Sequence, residues 1–181
     1  MDNRDAISLI ADAIPASDAQ VWADFGAGDG TFTRALIELL GPRSHVYAVD
    51  RDARALEAIQ KWPSVVRRNV TTVVADLSQP LDIAQLGGEL LDGALFANSL
   101  HFMRDASGVL SKLGSLVKPS GRIVIVEYDG RAASRWVPYP IPSARVAGIA
   151  ESAGLSRPVI TARRASAYGG EFYVAAADRL R

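Results

Sequence analysis

The stretch Asp24-Phe25-Gly26-Ala27-Gly28-Asp29-Gly30-Thr31 decides how this chain folds. Before it, Val21-Trp22-Ala23-Asp24-Phe25 reads as a short buried strand. After it, Phe32, Leu36, Leu39 and Leu40 recur at helical spacing until Gly41-Pro42 stops the helix. Glycines at alternate positions permit positive φ and let a ligand approach the backbone, because no Cβ stands in the way. A strand, a glycine turn and a helix in this order open an open α/β sheet. Such sheets bind ligands beyond the carboxyl ends of their strands, at the point where strand order reverses. The helix N-terminus adds free N–H groups and a positive dipole end.

Outward from this unit, short β-branched runs alternate with segments of helical period, which predicts βαβ units and a parallel sheet. An opening helix is expected over Asn3–Ile14. Strand two is Val46–Val49, running into Asp50, and a helix follows over Asp52–Lys61. Strand three is Val70–Val74, then Asp76, with a short helix over Leu81–Leu86. Strand four is Leu91–Ala97. The next helix carries Leu110, Leu113, Leu116 and Val117 and is closed by Pro119 and Gly121. Strand five, Ile123–Val126, is wholly apolar, and a last helix is expected over Ser143–Ala153. The closing strands, Val159–Arg164 and Phe172–Ala177, are too close for a parallel crossover and so form an antiparallel hairpin. The expectation is one domain over residues 1–181. Its fold is α/β, with a doubly wound seven-stranded sheet, mostly parallel, and an antiparallel C-terminal hairpin strand.

An acid, any residue, then Gly-x-Gly-x-Gly is matched without a gap by Asp24 through Gly30. In this the chain resembles class I S-adenosylmethionine-dependent methyltransferases, whose Rossmann-like domain carries this first motif. Asn98-Ser99-Leu100-His101 looks like the type-11 (UbiE-like) branch. The resemblance implies S-adenosyl-L-methionine as cofactor and S-adenosyl-L-homocysteine as product. It implies cofactor contacts from Asp24, Gly26, Gly28, Thr31, Asp50, Arg51, Asp76, Leu77 and Asn98. Asp24 would accept from the ammonium, directly or through water, and the amides of Gly28 to Thr31 would suit the carboxylate. Asp50 would accept the ribose hydroxyls as a charge-assisted pair, and Asp76 the adenine amino group. Each acid alone reads equally as a strand end or helix cap, but together they form a row along one ligand. A nicotinamide dehydrogenase also places an acid about twenty residues past its turn, but its Gly-x-Gly-x-x-Gly/Ala ends on a small residue for helix packing. Here that slot is Thr31, which is too bulky.

Methyl transfer is an in-line displacement, in which alignment supplies much of the barrier reduction. A base is needed only when the nucleophile arrives protonated. The acceptor is expected beyond strands four and five. Here His101 is the candidate base or orienting residue, and Glu127 and Tyr128, with Asp129, finish strand five. The segment Arg131–Pro140 is the expected substrate element: Trp136 and Tyr139 would wall an apolar acceptor and Arg135 or Arg131 would hold an anion. A structural loop is the competing reading. The acceptor classes that fit are a quinone-like ring, a lipid-like metabolite or a small carboxylate. A non-catalytic cofactor- or partner-binding protein on the same fold is the alternative.

Composition narrows the field. Twenty Lys and Arg balance twenty Asp and Glu, so no global field attracts a polyanion, and no nucleic-acid partner is expected. The pairs Arg67-Arg68 and Arg163-Arg164 read as solvated surface. The Asn/Asp-Pro-Pro-Tyr/Phe motif of nucleic-acid amino methyltransferases is missing after strand four. The chain has no cysteine and two histidines, His45 and His101, which excludes disulfides, thiol nucleophiles and a histidine-rich metal site. No run approaches the roughly 18 apolar residues of a membrane span and no leader is evident, so a cytoplasmic protein without membrane insertion is expected. The opening helix, the Trp136 loop or the second copy in a homodimer is left to cover the site.

Overall fold

The structure, a computed structural model, describes residues 1–17, 19–167 and 169–181. Seven strands form one sheet: β1 (Val21–Phe25), β2 (His45–Asp50), β3 (Val70–Val74), β4 (Leu91–Ala97), β5 (Val117–Asp129), β6 (Val159–Ala165) and β7 (Glu171–Asp178). Their order is β3-β2-β1-β4-β5-β7-β6. The first five run parallel, and β7 inserts antiparallel between β5 and β6. The expected doubly wound sheet and closing hairpin are therefore present. Strand order reverses between β1 and β4, which places a crevice over their carboxyl ends.

Among the described residues, six α-helices cover the faces: α1 (Asn3–Ile10), α2 (Thr31–Leu40), α3 (Ala53–Gln60), α4 (Ser64–Arg67), α5 (Ala106–Gly114) and α6 (Ser143–Ser152). Strand side chains alternate between faces, so the sheet feeds two cores. Phe25, Phe96, Ile123, Ile125 and Tyr173 meet Leu110 and Leu113 of α5 and Val146 of α6. On the opposite face Trp22, Leu95, Val124 and Val174 meet Leu9 and Ile10 of α1, Leu36 and Leu40 of α2 and Ile59 of α3. Both faces of β5 are buried at its centre, as its unbroken apolar run requires.

Several boundaries differ from the sequence reading. α5 stops at Gly114, and Val117 belongs to β5, where it pairs with Leu91. Leu110, Leu113 and Val117 share helical spacing by coincidence. The Leu116 carbonyl accepts from the Leu91 amide at 2.9 Å, which starts the ladder early, and an irregularity between Leu91 and Gly93 absorbs Pro119. The opening helix tightens into a 3-10 turn at Ala11–Ala13, and the Leu81–Leu86 segment shrinks to a 3-10 turn at Ile83–Leu86, capped by Asp82. The turns at Ser64–Arg67 and Leu100–Phe102 were not expected. Nor are Arg163 and Arg164 merely solvated. Arg164 bonds the carboxylate and carbonyl of Asp5 on α1, and Arg163 links Asp129, Ser143 and Glu171. Such exposed pairs are screened by solvent, so they orient α1 and α6 more than they stabilise them.

Packing is close where Trp22 crosses β4. A Cβ at Gly93 would stand 2.4 Å from the Trp22 ring, and the buried indole N–H is fixed by Gln20 at 2.7 Å. Gly93→Ala is therefore expected to destabilise by about 1–3 kcal/mol as an overpacked core. Urea unfolding should show a lower midpoint with an unchanged slope.

Candidate functional site

The glycine turn is drawn onto the end of β2. The amides of Gly26 and Ala27 donate to the Val49 carbonyl at 2.8 and 3.0 Å, and the Gly28 amide donates to Asp50 Oδ2 at 2.8 Å. Gly26 has φ +89°, and a Cβ there would lie 2.3 Å from the Ser99 Cβ. It is glycine because the end of β4 leaves no room. Gly28, at φ +56°, faces open space, so it is the glycine that leaves room for a ligand.

Beside the turn runs a cleft of about 540 Å³, within the size range of ligand pockets. Gly26, Gly28, Asp50, Arg51, Asp76, Leu77 and Asn98 all line it, so the structure brings together most of the row expected from sequence. Asp50 is already braced, its second oxygen accepting from the Asp52 amide at 2.9 Å. One lone-pair direction remains on each oxygen. Asp76 accepts from the Ser78 amide at 2.8 Å, and hydrogen bonds from Ser78 hold its carboxyl below the usual range. Lys112 Nζ, bonded to the carbonyls of Leu77 and Gln79 at 2.9 and 2.8 Å, pins this segment. Ala55, Ala75, Phe102 and Met103 supply apolar wall. Phe102 and Met103 escaped the sequence reading, although they directly follow the Asn98–His101 run.

Two expectations change. The turn amides are largely spoken for: Gly28 donates to Asp50, Gly30 to the Ala27 carbonyl at 2.9 Å and Thr31 to Asp29 Oδ1 at 3.2 Å. Thr31 does not line this cleft; its hydroxyl also turns back to Asp29, at 3.0 Å.

Asp24 lies beneath the turn, wholly buried. Thr33 donates to its Oδ2 at 2.6 Å, while Oδ1 has no partner. Burial pushes this carboxyl up to about 7 despite the Thr33 bond, and the nearby Asp50 carboxylate adds to the rise. Asn98 Oδ1 and Ser99 Oγ, at the end of the adjacent strand, are likewise buried without partners among the described residues. Asn98 also holds a left-handed φ of +54°. Unsatisfied buried polar atoms are rare in folded proteins, and three of them gather where β1 and β4 end.

A second compartment of about 240 Å³ adjoins the first, sharing Gly26 and Asn98 with it. Tyr128 and Thr31 line it, with Phe32, Phe172 and Asp29, which sequence alone had assigned to core or turn. The remaining expected acceptor residues lie elsewhere. Glu127 is wholly buried, and both its oxygens are taken by His101, through the backbone amide at 3.1 Å and Nδ1 at 2.7 Å. His101 is itself 2% exposed and lines neither compartment. Its carbonyl accepts from the Tyr139 amide at 2.9 Å, which anchors the following loop. Trp136 and Tyr139 stand 64% and 45% exposed, with Arg135 stacked on the Trp136 ring, and none of the three lines either compartment.

A family model described as a methyltransferase domain matches residues 23–123. An uncharacterized methyltransferase of Mycobacterium bovis is 29% identical over 119 residues, which are 66% of this chain and 56% of that protein. A highly reducing polyketide synthase of Strobilurus tenacellus is 31% identical over 119 residues, 65% of this chain and 4% of the synthase. The chain thus spans about half the length of the mycobacterial relative and a small part of the synthase. Among solved structures, a Burkholderia thailandensis 1,6-didemethyltoxoflavin N1-methyltransferase superposes with a TM-score of 0.71 at 25% identity. That match covers 99% of this chain and 78% of the Burkholderia chain, which holds its substrate and S-adenosylhomocysteine.

The raised carboxyl of Asp24 has a consequence for stability. An unfolded Asp loses its proton near pH 4, whereas this one keeps it to about pH 7. The native state therefore binds more protons across that window, and stability falls as pH rises through it, by on the order of 4 kcal/mol. Asp24→Asn removes the penalty. Thermal unfolding of the ligand-free protein should show the variant more stable than the parent at pH 8, with the gap closing towards pH 4. A gap independent of pH would contradict the assignment.

Proposed function

The chain belongs to the methyltransferase-domain family, and from that premise we propose that it binds S-adenosylmethionine in the larger cleft and methylates a small acceptor held in the smaller one. The observation that carries this reading is the trio of unpartnered oxygens, Asp24 Oδ1, Asn98 Oδ1 and Ser99 Oγ. Such atoms are costly unless a bound partner satisfies them, and an ammonium offers three N–H donors. The rest of the lining fits the same molecule. Asp50 has lone pairs left for the ribose hydroxyls, and Asp76, kept ionised by Ser78, is an acceptor for the adenine amino group. Leu77, Phe102 and Met103 offer apolar contact to the base.

When bound, S-adenosylmethionine supplies an electrophilic methyl carbon on a sulfonium. The chain's part is alignment. Gly26 and Asn98 border both compartments, so a nucleophile in the smaller one faces the methionine end of the larger. Holding reacting atoms in line is worth several kcal/mol of barrier. His101, bound through its ring and amide to the buried Glu127, fixes the segment that carries Asn98 and Ser99. We assign it positioning rather than proton transfer, because it reaches neither compartment. The Burkholderia enzyme, named as a 1,6-didemethyltoxoflavin N1-methyltransferase, supports a small-molecule acceptor.

Calorimetric titration with S-adenosylmethionine, S-adenosylhomocysteine and NADH tests the cofactor. Both sulfur ligands should bind saturably and NADH should not. Asp50→Ala should weaken binding about ten- to a hundredfold, the loss of charge-assisted hydrogen bonds. Binding of NADH alone, or of nothing, would overturn the proposal.

A further inference from the structure

The segment that carries Asp76 has little regular structure of its own. Residues 75–82 lie between the end of β3 and the 3-10 turn at Ile83–Leu86, in neither helix nor strand. Asp76 folds the start of this segment into a turn. Its backbone carbonyl accepts from the Gln79 amide at 2.9 Å, and its carboxylate accepts from the Ser78 amide at 2.8 Å. Those bonds are internal, so they fix the shape of the turn and not its place. The Leu77 side chain is buried in the core, but apolar burial is non-directional.

Placement comes from α5. Lys112 Nζ donates to the Leu77 carbonyl at 2.9 Å and to the Gln79 carbonyl at 2.8 Å. Among the described residues, the hydrogen bonds that reach residues 77–79 from another element are these two. The helix is a firm anchor, because Leu110 and Leu113, which flank Lys112 in sequence, are wholly buried. An ammonium has three donors on a long stem and can hold two carbonyls at once. Hydrogen bonds from Ser78 are the main reason that Asp76 stays ionised, and the charges of Arg51 and Lys112 add to it. Lys112 itself lies outside the lining of the larger cleft, so its effect on a ligand there passes through the segment that it holds.

Resting on the methyltransferase reading above, we infer that Lys112 is a positioning residue for base recognition: by clamping the Leu77 and Gln79 carbonyls, it holds Asp76 where its carboxylate meets the amino group of an adenine. The role is one of specificity. A carboxylate in register accepts from a 6-amino group and repels the 6-carbonyl oxygen of hypoxanthine, since both are acceptors. Without the clamp the turn keeps its internal bonds but loses its fixed place beside the cleft, and the contact with the amino group weakens. A base that lacks this group has no such contact to lose.

The test compares S-adenosylhomocysteine with S-inosylhomocysteine, which carries hypoxanthine instead of adenine, by calorimetric titration of the full chain. The parent should bind the adenine ligand at least about tenfold more tightly, the scale of one charge-assisted hydrogen bond. Lys112→Met keeps the stem and the helix propensity without the donors. It should weaken S-adenosylhomocysteine about tenfold and leave S-inosylhomocysteine nearly unchanged. Lys112→Arg, which retains donors for both carbonyls, should restore the preference. In an Asp76→Ala background, Lys112→Met should have no further effect on either ligand. Thermal unfolding checks that each variant folds, and Lys112→Gln, one bond shorter than lysine, replaces the methionine variant if that one does not. A parent that binds both ligands alike, equal weakening of both by Lys112→Met, or a full effect on top of Asp76→Ala would overturn this inference and leave cofactor binding intact. Failure of the parent to bind S-adenosylhomocysteine would instead remove the reading on which it rests.

Discussion

Where strand order reverses, the ends of β1 and β4 come so close that position 26 has no space for a Cβ beside Ser99. Much of the site follows from that contact. The turn must bend with positive φ at Gly26 and Gly28, which swings the Gly28 amide onto Asp50 and opens a cleft on the β2 side. The same approach buries Asp24 below the turn and leaves Asn98 strained at the end of β4. Gly26 and Asn98 thereby become the shared border of two compartments of unequal size.

The arrangement stores an unfavourable term in the ligand-free protein. A fully buried carboxyl with one unsatisfied oxygen disfavours ionisation, and two further buried oxygens on the neighbouring strand lack partners. Stabilising substitutions at such a place are easy to imagine and costly to function. Under the proposed function, a cationic ligand would reverse the balance, because it would favour the ionised form of Asp24 and fill the open acceptors together. Two large apolar cores, one on each face of the sheet, hold the strand ends in place while this local cost is borne.

Much of this was legible in the sequence, and the exceptions have physical causes. Strands buried on both faces, such as Ile123–Val126, announce themselves as unbroken β-branched runs. The acids at 24, 50 and 76 are legible because each stands at, or within two residues of, the end of a recognisable strand. The end of α5 was misplaced because Leu110, Leu113 and Val117 keep helical spacing across a helix-to-strand boundary, and only pairing with Leu91 reveals the change. Phe32 and Phe172 sit at periodic apolar positions, so nothing local separates a residue facing a compartment from one in the core. Trp136 and Tyr139 drew attention as aromatics in a proline-rich loop, but sequence does not show that the loop, pinned through His101, carries them outward. Glu127 could not be told from a substrate ligand until His101 was seen to occupy both its oxygens.

Under the proposed function, the unpartnered oxygens at the ends of β1 and β4 receive the ammonium end of the cofactor. A crystal structure of the chain with S-adenosylhomocysteine tests it most directly. The ligand should lie along the larger cleft, its amino group satisfying Asp24 Oδ1 directly or through one water, with Asp50 at the ribose and Asp76 at the adenine. A ligand bound elsewhere, or one lying in the cleft with its amino group turned away from Asp24, Asn98 and Ser99, would contradict it.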